Sequence, residues 1–217
     1  MVADLSIHTD LQILHIDNAL LVLSKPAGLL AVPGRGADKQ DALSSRVQLR
    51  YPEALVVHRL DQATSGLMLM ARSPDVQRTL SRAFENRMVH KEYVAIVHGL
   101  LADPSGEITL PLMADWPRRP MQKVDLQHGK AALTRWSVLH TDSAAHTSRL
   151  LLQPITGRTH QLRVHLCAIG HPIVGDTLYG QLAANTGQAR MLLHAQCMQF
   201  DHPETGHRVR VEAHVPF

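Results

Sequence analysis

The stretch HRLDQATSGLMLMAR, residues 58–72, places charged and hydroxyl side chains between two apolar segments. LVVHRL (residues 55–60) and GLMLMAR (residues 66–72) are apolar enough to be buried strands, so DQATS is predicted to be the turn that joins them. Arg59 and Asp61 are two residues apart, and on an extended backbone both side chains project to the same side. Thr64 and Ser65 are expected to hold the turn through side-chain to backbone hydrogen bonds. An aspartate is common in any turn, so Asp61 is either a turn residue or a carboxylate held on a rigid base for chemistry.

The segments around this stretch predict a strand-rich chain with two firm helices. Ser73 followed by Pro74 and Asp75 is a helix start, and that helix is expected to run to about Arg87. Residues 155–172 predict the second helix, with Thr159 as its possible cap. A weak helix is predicted over 42–52 and a polar loop over 115–130. Strands are predicted over residues 11–28 (a hairpin), 91–101, 106–113, 132–140, 147–155, 191–200 and 207–214.

These elements show no alternation of strand and helix, so the predicted fold class is α+β: a single mixed, mainly antiparallel β-sheet domain with flanking helices. We expect residues 1–12 to be an N-terminal tail and residues 13–217 to be one domain. The 217 residues are 45% hydrophobic, which is enough for a core, and the net charge of +3 permits a nucleic-acid partner without requiring one. No secretion signal or membrane-spanning run is visible, so the expected location is the cytoplasm.

Metal and nucleotide sites are not expected. The chain has 15 histidines, but His160 and His165 are five residues apart, and metal ligands on one helix face need a spacing of three or four. No Gly-rich turn has the spacing of a phosphate-binding loop. Cys167 and Cys197 are expected to be two thiols, although a disulfide between them remains open.

Arg163 is a second singular residue. Its segment, GRTHQLRVHL, has two interpretations. It is either a basic helix face exposed to solvent or a segment that holds a functional arginine. Apolar neighbours flank Arg163 closely, and an arginine in such a setting needs a carboxylate partner. The sequence alone leaves open which carboxylate this is.

The stretch HRLDQATSGLMLMAR resembles the signature of the RluA-type RNA pseudouridine synthases. Four further blocks are similar to this family and follow its order over nearly the whole chain. They are SKPAGLLAVPG (residues 24–34), KEYVAIVHG (91–99), ITGRTHQLRVHLCAIGHPIVGDTLYG (155–180) and MLLHAQCM (191–198). Within the family, the sequence is most similar to the short bacterial members with dual specificity for rRNA and tRNA.

The resemblance implies an isomerase that converts uridine in RNA to pseudouridine without a cofactor or a metal. It also implies that residues 13–217 are the catalytic domain and that no RNA-binding domain is appended to it. It implies that Asp61 is the catalytic carboxylate, that Arg163 pairs with it, and that Tyr93 stacks on the flipped uracil. Arg59 would fill the space that the flipped base leaves. Arg158 and His160 are further candidates for substrate binding, by their place in the matching block. Three residues of the polar loop are candidates for phosphate contacts, although an ordinary solvated loop is the alternative: Arg118, Arg119 and Lys123.

The expected substrates are stem-loops of large-subunit rRNA and of the tRNA anticodon arm, and the expected state is a monomer that contacts no membrane. A non-catalytic RNA-binding or chaperone module on the same scaffold is the main alternative. An RNA glycosidase or nuclease is a further one, but no second acid accompanies Asp61 in the matching blocks. The sequence does not decide whether Asp61 attacks C1′, adds to C6 or takes a proton from C2′.

Overall fold

The structure is a computed structural model that describes residues 11–180 and 189–217. All but the last two residues of the tail predicted over 1–12 lie outside this part. The described residues form a ten-stranded mixed sheet, a separate two-stranded sheet and three α-helices, which confirms the predicted α+β class. The assignment of residues 13–217 to one catalytic domain stays a prediction.

The helices and strands are numbered along the chain. The helices are α1 (Leu43–Arg50), α2 (Pro74–Glu85) and α3 (Gln161–Ala168). The strands are β1 (Ile13–Ile16), β2 (Leu20–Lys25), β3 (Leu55–Val56), β4 (Ser65–Ala71), β5 (His90–His98), β6 (Ser105–Ile108), β7 (Leu112–Ala114), β8 (Gln122–Val124), β9 (Thr134–Asp142), β10 (Thr147–Pro154), β11 (Leu193–Asp201) and β12 (Arg208–Glu212).

The large sheet has the order β1-β2-β4-β11-β5-β10-β9-β6. Its strands β4 and β11 each pair with two different strands along one edge, so β3 and β12 lie outside this order. One edge of β4 pairs with β2 along its whole length, while the other edge pairs with β11 at its start and with β3 at its end. In the same way, β11 pairs with β5 on one edge and with β4 and then β12 on the other. The β4–β11 pair is parallel and the other named pairs are antiparallel.

The parallel contact between β4 and β11 requires a glycine. Gly66 has φ +111°, and a Cβ placed there would lie 2.2 Å from the carbonyl oxygen of Ala195. Any other residue would push the two strands apart, because this overlap is with backbone and cannot be relieved by a rotamer change. The glycine of the quoted stretch therefore closes the sheet at its centre, immediately after the loop that carries Asp61.

Both faces of β4 are covered, so the strand is a rigid base for that loop. Leu67 and Leu69 project into a cluster that includes Val76 and Leu80 of α2. Met68 and Met70 lie on the opposite face and pack in a second cluster with α1. This alternation is the period of two expected for a strand, with every residue buried because helices lie on both sides. A third cluster packs α3 against β5 and β10.

Several sequence predictions about local structure are wrong. Residues 55–60 were predicted to be one strand, but only Leu55–Val56 pair, because β11 occupies the edge of β4 nearer the loop. The loop predicted over 115–130 contains β8, which pairs with β7. Thr159 is not the cap of α3: the N-cap is His160 with φ 53°, so the chain enters this helix through a left-handed residue.

The predicted strand over 106–113 is two strands, because β6 ends at Ile108 and pairs with β9, whereas β7 begins at Leu112 and pairs with β8. The predicted helix over 155–172 is shorter, since α3 spans Gln161–Ala168. The helix start at Ser73 is confirmed. Ser73 caps α2, with its hydroxyl accepting a hydrogen bond from the Val76 amide at 3.3 Å. Cys167 and Cys197 are free thiols. None of the helices in residues 11–180 and 189–217 is long and apolar enough to cross a lipid bilayer.

Candidate active site

The loop of residues 57–64 brings Asp61 to a cavity of about 500 Å³. A cavity of this size suits a nucleoside or another small group. Six of the residues singled out in the sequence line it, and they come from β5, from α3 and from the loops before β4 and α3. They are Arg59, Asp61, Tyr93, Arg158, His160 and Arg163.

Arg59 and Asp61 share this cavity although they are not on a strand. The segment that holds them is a loop, so strand alternation is not what brings them together. Arg59 is exposed, whereas the Asp61 side chain is 27% exposed. Asp61 is thus open to a substrate but largely enclosed by protein.

Backbone and buried side chains hold this loop in place. The amide of Thr64 donates to the carbonyl of Asp61 at 3.1 Å and closes the turn. The buried Lys25 ammonium donates to the carbonyls of Gln62 at 3.1 Å and of Pro26 and Leu29 at 2.8 Å each. Burial lowers the pKa of Lys25 to about 8, and the charge of Asp61 opposes that shift. Lys25 thus ties the KPAG segment to the loop of Asp61.

Ser65 does not act as the sequence predicts. Its hydroxyl lies 2.7 Å from Nδ1 of His194 on β11, and it accepts a hydrogen bond from Arg190 at 2.5 Å. The turn is therefore closed by the Thr64 backbone, and Ser65 joins β4 to β11 instead.

His58 fixes the other end of the loop. Its Nε2 accepts a hydrogen bond from the Leu69 amide at 2.9 Å, and its ring stacks on Phe84 of α2 with centroids 4.5 Å apart. Burial lowers the pKa of His58 to about 3, and the charge of Lys91 adds to this effect. The neutral ring is the form that can accept from Leu69.

Arg163 makes its two strongest contacts with Asp176, a residue that the sequence analysis did not single out. Its Nε and one terminal nitrogen donate to the two oxygens of Asp176, each at 2.7 Å. The other terminal nitrogen lies 3.5 Å from Oδ2 of Asp61. Burial alone would lower the pKa of Arg163, but the hydrogen bonds and charge of Asp176, with the charge of Asp61, raise it. Arg163 is therefore a buried cation shared between two carboxylates.

Asp176 is fully buried and has two further donors. The amides of Leu178 and Tyr179 donate to its Oδ1 at 2.9 and 3.2 Å. An aspartate that begins a turn commonly accepts such bonds, so GDTLYG was a usable signal for a structural role. The sequence could not show that the same carboxylate would meet Arg163.

His160 lies between Asp61 and Tyr179. Its Nε2 is 3.8 Å from Oδ1 of Asp61, and its Nδ1 is 2.7 Å from the Tyr179 hydroxyl. Burial lowers the pKa of His160, and the Arg163 and Arg59 cations act in the same direction while the nearby aspartates oppose them. The His160 imidazole is therefore a polar neighbour of Asp61, and its neutral form is favoured.

Tyr93 is placed on β5, opposite Leu152 of β10 and Ala195 of β11. It packs against both main apolar clusters and also faces the cavity. Burial raises the pKa of Tyr93, and the charge of Asp61 adds to that shift. The phenol therefore stays protonated, and its flat ring is held rigidly beside Asp61.

The cavity also contains charged residues that the sequence analysis missed. Arg87 and Lys91 line it together with Arg158, and Glu85 lies at the end of α2. Arg158 is exposed and donates from Nε to the Ala131 carbonyl at 3.1 Å. Five arginine and lysine side chains and two acidic ones line this cavity, so its surroundings favour an anion.

The predicted phosphate contacts of the polar loop do not line the cavity. Arg118 pairs with the buried Asp115 at 2.6 Å, and Lys123 lies 3.5 Å from Asp125. Arg119 lies over the ring of Trp116. These residues belong to the β7–β8 hairpin, beside α3, rather than to the loop that surrounds Asp61.

Comparison with known proteins identifies the family. The sequence model described as "RNA pseudouridylate synthase" matches residues 19–168. The chain belongs to this family. It is 44% identical over 207 residues to the dual-specificity RNA pseudouridine synthase RluA of Escherichia coli (strain K12), covering 95% of this chain and 94% of that protein. It is 47% identical over 194 residues to the protein of the same name from Yersinia pestis, covering 89% and 94% of the two chains.

A solved structure shares the fold of this pseudouridylate synthase chain. The human RNA pseudouridylate synthase domain containing 1 superposes with a TM-score of 0.80 at 31% identity, covering 96% of this chain and 84% of the human one. Within the residues that the structure describes, no group of three or more histidine, cysteine, aspartate or glutamate side chains is arranged to hold a metal ion.

Proposed function

We propose that this protein isomerises specific uridines in RNA to pseudouridine, with Asp61 as the catalytic carboxylate. The observation that supports this most directly is the position of Asp61 in the cavity, 3.5 Å from the buried Arg163 and beside Tyr93. A carboxylate that acts as a nucleophile or a base must be ionised, and a nearby cation favours that form.

The reaction breaks the N1–C1′ bond, turns the uracil and joins its C5 to C1′. The C5 hydrogen leaves as a proton and N1 gains one, so the RNA neither gains nor loses atoms overall. Asp61 attacks C1′, adds to C6 or removes a proton from C2′, and each of these steps needs the carboxylate within contact distance of the flipped nucleotide. The other residues of the cavity hold that nucleotide in place. None of these steps requires a cofactor.

Tyr93 and Arg59 meet two requirements of base flipping. One is a surface for the extruded base, and the other is a group that takes its place in the stack. The target base must leave its stack before an enzyme can reach its glycosidic bond. The Tyr93 ring, held on β5, offers a flat surface on which the uracil can rest. Arg59 is exposed at the mouth of the same cavity, and its planar guanidinium can stack on the bases that remain.

The cations of the cavity suit the RNA backbone. Arg87, Lys91 and Arg158 line the space around Asp61, where the phosphates on either side of a flipped nucleotide would pass. This set adds to the contacts that we propose for Arg118, Arg119 and Lys123. His160 is proposed to orient Asp61 and the substrate, because it lies against the carboxylate.

The proposed substrates are two stem-loops, one in large-subunit rRNA and one in the anticodon arm of tRNA. The relatives from Escherichia coli and Yersinia pestis carry the name dual-specificity RNA pseudouridine synthase, which supports two classes of substrate. A loop uridine costs less to extrude than a paired one. We further propose that the protein acts as a monomer in the cytoplasm.

The test is release of tritium from RNA labelled at C5 of uridine. Isomerisation expels this hydrogen without cutting the chain, whereas a glycosidase or nuclease would release uracil or fragments, and a binding module would release nothing. We expect Asp61→Asn to fold and bind RNA but to lose turnover by at least about 10³-fold, in the upper range for loss of an acid–base group. Asp38→Asn, an exposed residue outside the cavity, is the matched control. Activity of Asp61→Asn within tenfold of the parent protein would refute the assignment.

A further inference from the structure

A tryptophan is exposed at the tip of the β7–β8 arm, which we define as residues 112–124. The arm consists of paired strands, with Leu112 opposite Val124 and Ala114 opposite Gln122. Between them, a short 3-10 turn presents Trp116 with 64% of its surface exposed. Aromatic residues make up only 4% of the chain, and Trp116 is the one aromatic residue among the exposed large hydrophobic side chains of the described residues.

The exposed ring is held by its neighbours. The guanidinium of Arg119 lies 3.3 Å from the centre of the Trp116 ring. Arg118 donates from Nε to the buried carboxylate of Asp115 at 2.7 Å, and the Arg118 amide donates to the Asp115 carbonyl at 3.0 Å. These contacts fix the turn that carries Trp116, so binding to the ring would require little further ordering.

The arm is attached to the wall of the cavity. The amide of Gln122 donates to the Tyr179 hydroxyl at 2.8 Å. The same hydroxyl lies 2.7 Å from His160, which in turn is 3.8 Å from Asp61. Trp116 is two residues beyond the last strand pair, which places it within about 7 Å of that pair along the chain. The contacts of Gln122, Tyr179 and His160 therefore connect the arm that carries Trp116 to the proposed catalytic carboxylate.

The chemistry of the arm suits an unpaired base. An aromatic ring backed by an arginine stacks well on a nucleobase, and stacking of this kind tolerates any base. Arg119 adds positive charge at the ring, and Lys123 lies on the same arm, so a phosphate of the bound strand would meet cations there. A phosphate contact alone would need only the cations and would not need the exposed ring.

We infer that Trp116, backed by Arg119, is a stacking platform for one unpaired base in the same loop as the flipped uridine. This inference rests on the proposed function and extends it: the arm holds a base, in addition to contacting phosphates. It makes Trp116 a residue that selects RNAs with an unpaired nucleotide at one fixed position relative to the target.

The first experiment observes Trp116 directly. The chain has two tryptophans, and Trp136 lies on β9 against Gly106, outside the arm. Trp136→Phe therefore leaves Trp116 as the single reporter, while Trp116→Phe leaves Trp136. On titration with a hairpin of about 17 nucleotides, sized to a small domain's reach, we expect the fluorescence of Trp136→Phe to be quenched and that of Trp116→Phe to change little.

The second experiment identifies the base by a double-mutant cycle. Trp116→Ala should weaken hairpin binding by roughly 5- to 100-fold, the range for loss of one stacked base. Trp116→Phe should stay within about threefold of the parent. Leu49→Ala, which removes an equally exposed apolar side chain from α1, is the matched control and should bind normally. Loop nucleotides are then replaced one at a time by abasic ones. At a single position, the parent protein and Trp116→Ala should bind the abasic hairpin with the same affinity.

The outcomes separate this inference from the proposed function. If Trp136→Phe binds the hairpin and releases tritium while its fluorescence is unchanged, Trp116 does not stack and the inference is wrong. A loss for Trp116→Ala that is equal on every abasic hairpin would also overturn it, because the arm would then hold only the backbone. If the parent protein releases no tritium from any RNA, the proposed function itself fails.

Discussion

Arg163 forms a two-point ion pair with Asp176 and approaches the proposed catalytic Asp61 only with its remaining nitrogen, at 3.5 Å. The tighter partner is thus the structural carboxylate, which has no exposed side-chain surface. One oxygen of Asp61 is therefore near a cation but is not held in a short salt bridge. A carboxylate that must approach a substrate gains from such a looser contact.

The first prediction concerns this shared cation. Arg163→Met leaves the Asp176 carboxylate buried without its partner, and we expect the free energy of unfolding to fall by about 3–5 kcal/mol. Adding Asp176→Asn removes the orphaned charge, so the double variant should recover much of the loss. Urea unfolding of the two single variants and the double variant measures this.

The double variant also separates stability from chemistry. We expect it to fold but to stay inactive in the tritium assay, because Asp61 still lacks its cation. Restored turnover in the double variant would show that Arg163 has only a structural role. Arg50→Met, at the end of α1 and outside the cavity, is the matched control for loss of an arginine.

The sequence predicted the parts of this site that lie close together along the chain. The DQATS turn, the cap of α2 at Ser73 and the buried strand β4 all follow from residues a few positions apart. The parallel contact of Ser65 with His194 joins residues 129 positions apart, and no local pattern indicates it. The same contact shortens β3, which is why residues 57–60 are loop although their composition is typical of a strand.

The residues that the sequence analysis missed are partners supplied by tertiary contacts. Asp176 is in a quoted block, but its ion pair with Arg163 depends on how the segment after α3 folds back. Pairing of Gln122 and Lys123 with β7 likewise overrides a polar composition that is typical of a loop. Local propensity can be read from sequence, whereas the choice of partner is set by packing.

The second prediction is a pH dependence of stability. Burial gives His58 a folded pKa of about 3, below the ordinary histidine pKa of 6.5. Between these values the unfolded chain binds the proton and the folded protein does not, so stability is present above pH 6.5 and is lost as the pH falls towards 3. His194 acts in the same direction, because burial, with the charges of Arg190 and His214, lowers its pKa to about 4.

A single substitution tests the share of His58. In His58→Gln the amide oxygen can still accept from Leu69, but the side chain does not titrate. We expect the variant to lose less stability than the parent between pH 7 and pH 4, by on the order of 3 kcal/mol. His207→Gln, an exposed position, should keep the parent profile. Identical acid profiles for His58→Gln and the parent, measured by thermal melting, would contradict the burial of a neutral imidazole.

The third prediction separates the ring of Tyr93 from its hydroxyl. Tyr93→Phe keeps the ring between the two apolar clusters, so RNA affinity should be unchanged while the rate falls. Tyr93→Ala should lose both, and its unfolding free energy should drop by about 3–5 kcal/mol, as for loss of a large aromatic from a core. Binding by filter retention and single-turnover tritium release measure the two effects. A fully active Tyr93→Phe would mean that the hydroxyl takes no part in the reaction.

The last prediction concerns the path of the RNA backbone. Arg158 is exposed at the cavity, and among the described residues it has no carboxylate partner within ion-pair distance, so it is available to a phosphate. Binding that neutralises a phosphate releases counterions, and the logarithm of the affinity then falls linearly with the logarithm of the salt concentration. Arg158→Gln should reduce this slope by about 0.7–0.9, the value for one contact. Arg50→Gln on α1 should leave it unchanged.

Arg118→Gln tests the arm in the same way, since Arg118 is 69% exposed even though it pairs with Asp115. A slope that changes with Arg118→Gln but not with Arg158→Gln would place the backbone along the arm and away from the cavity, and the proposed role of Arg158 would then be wrong.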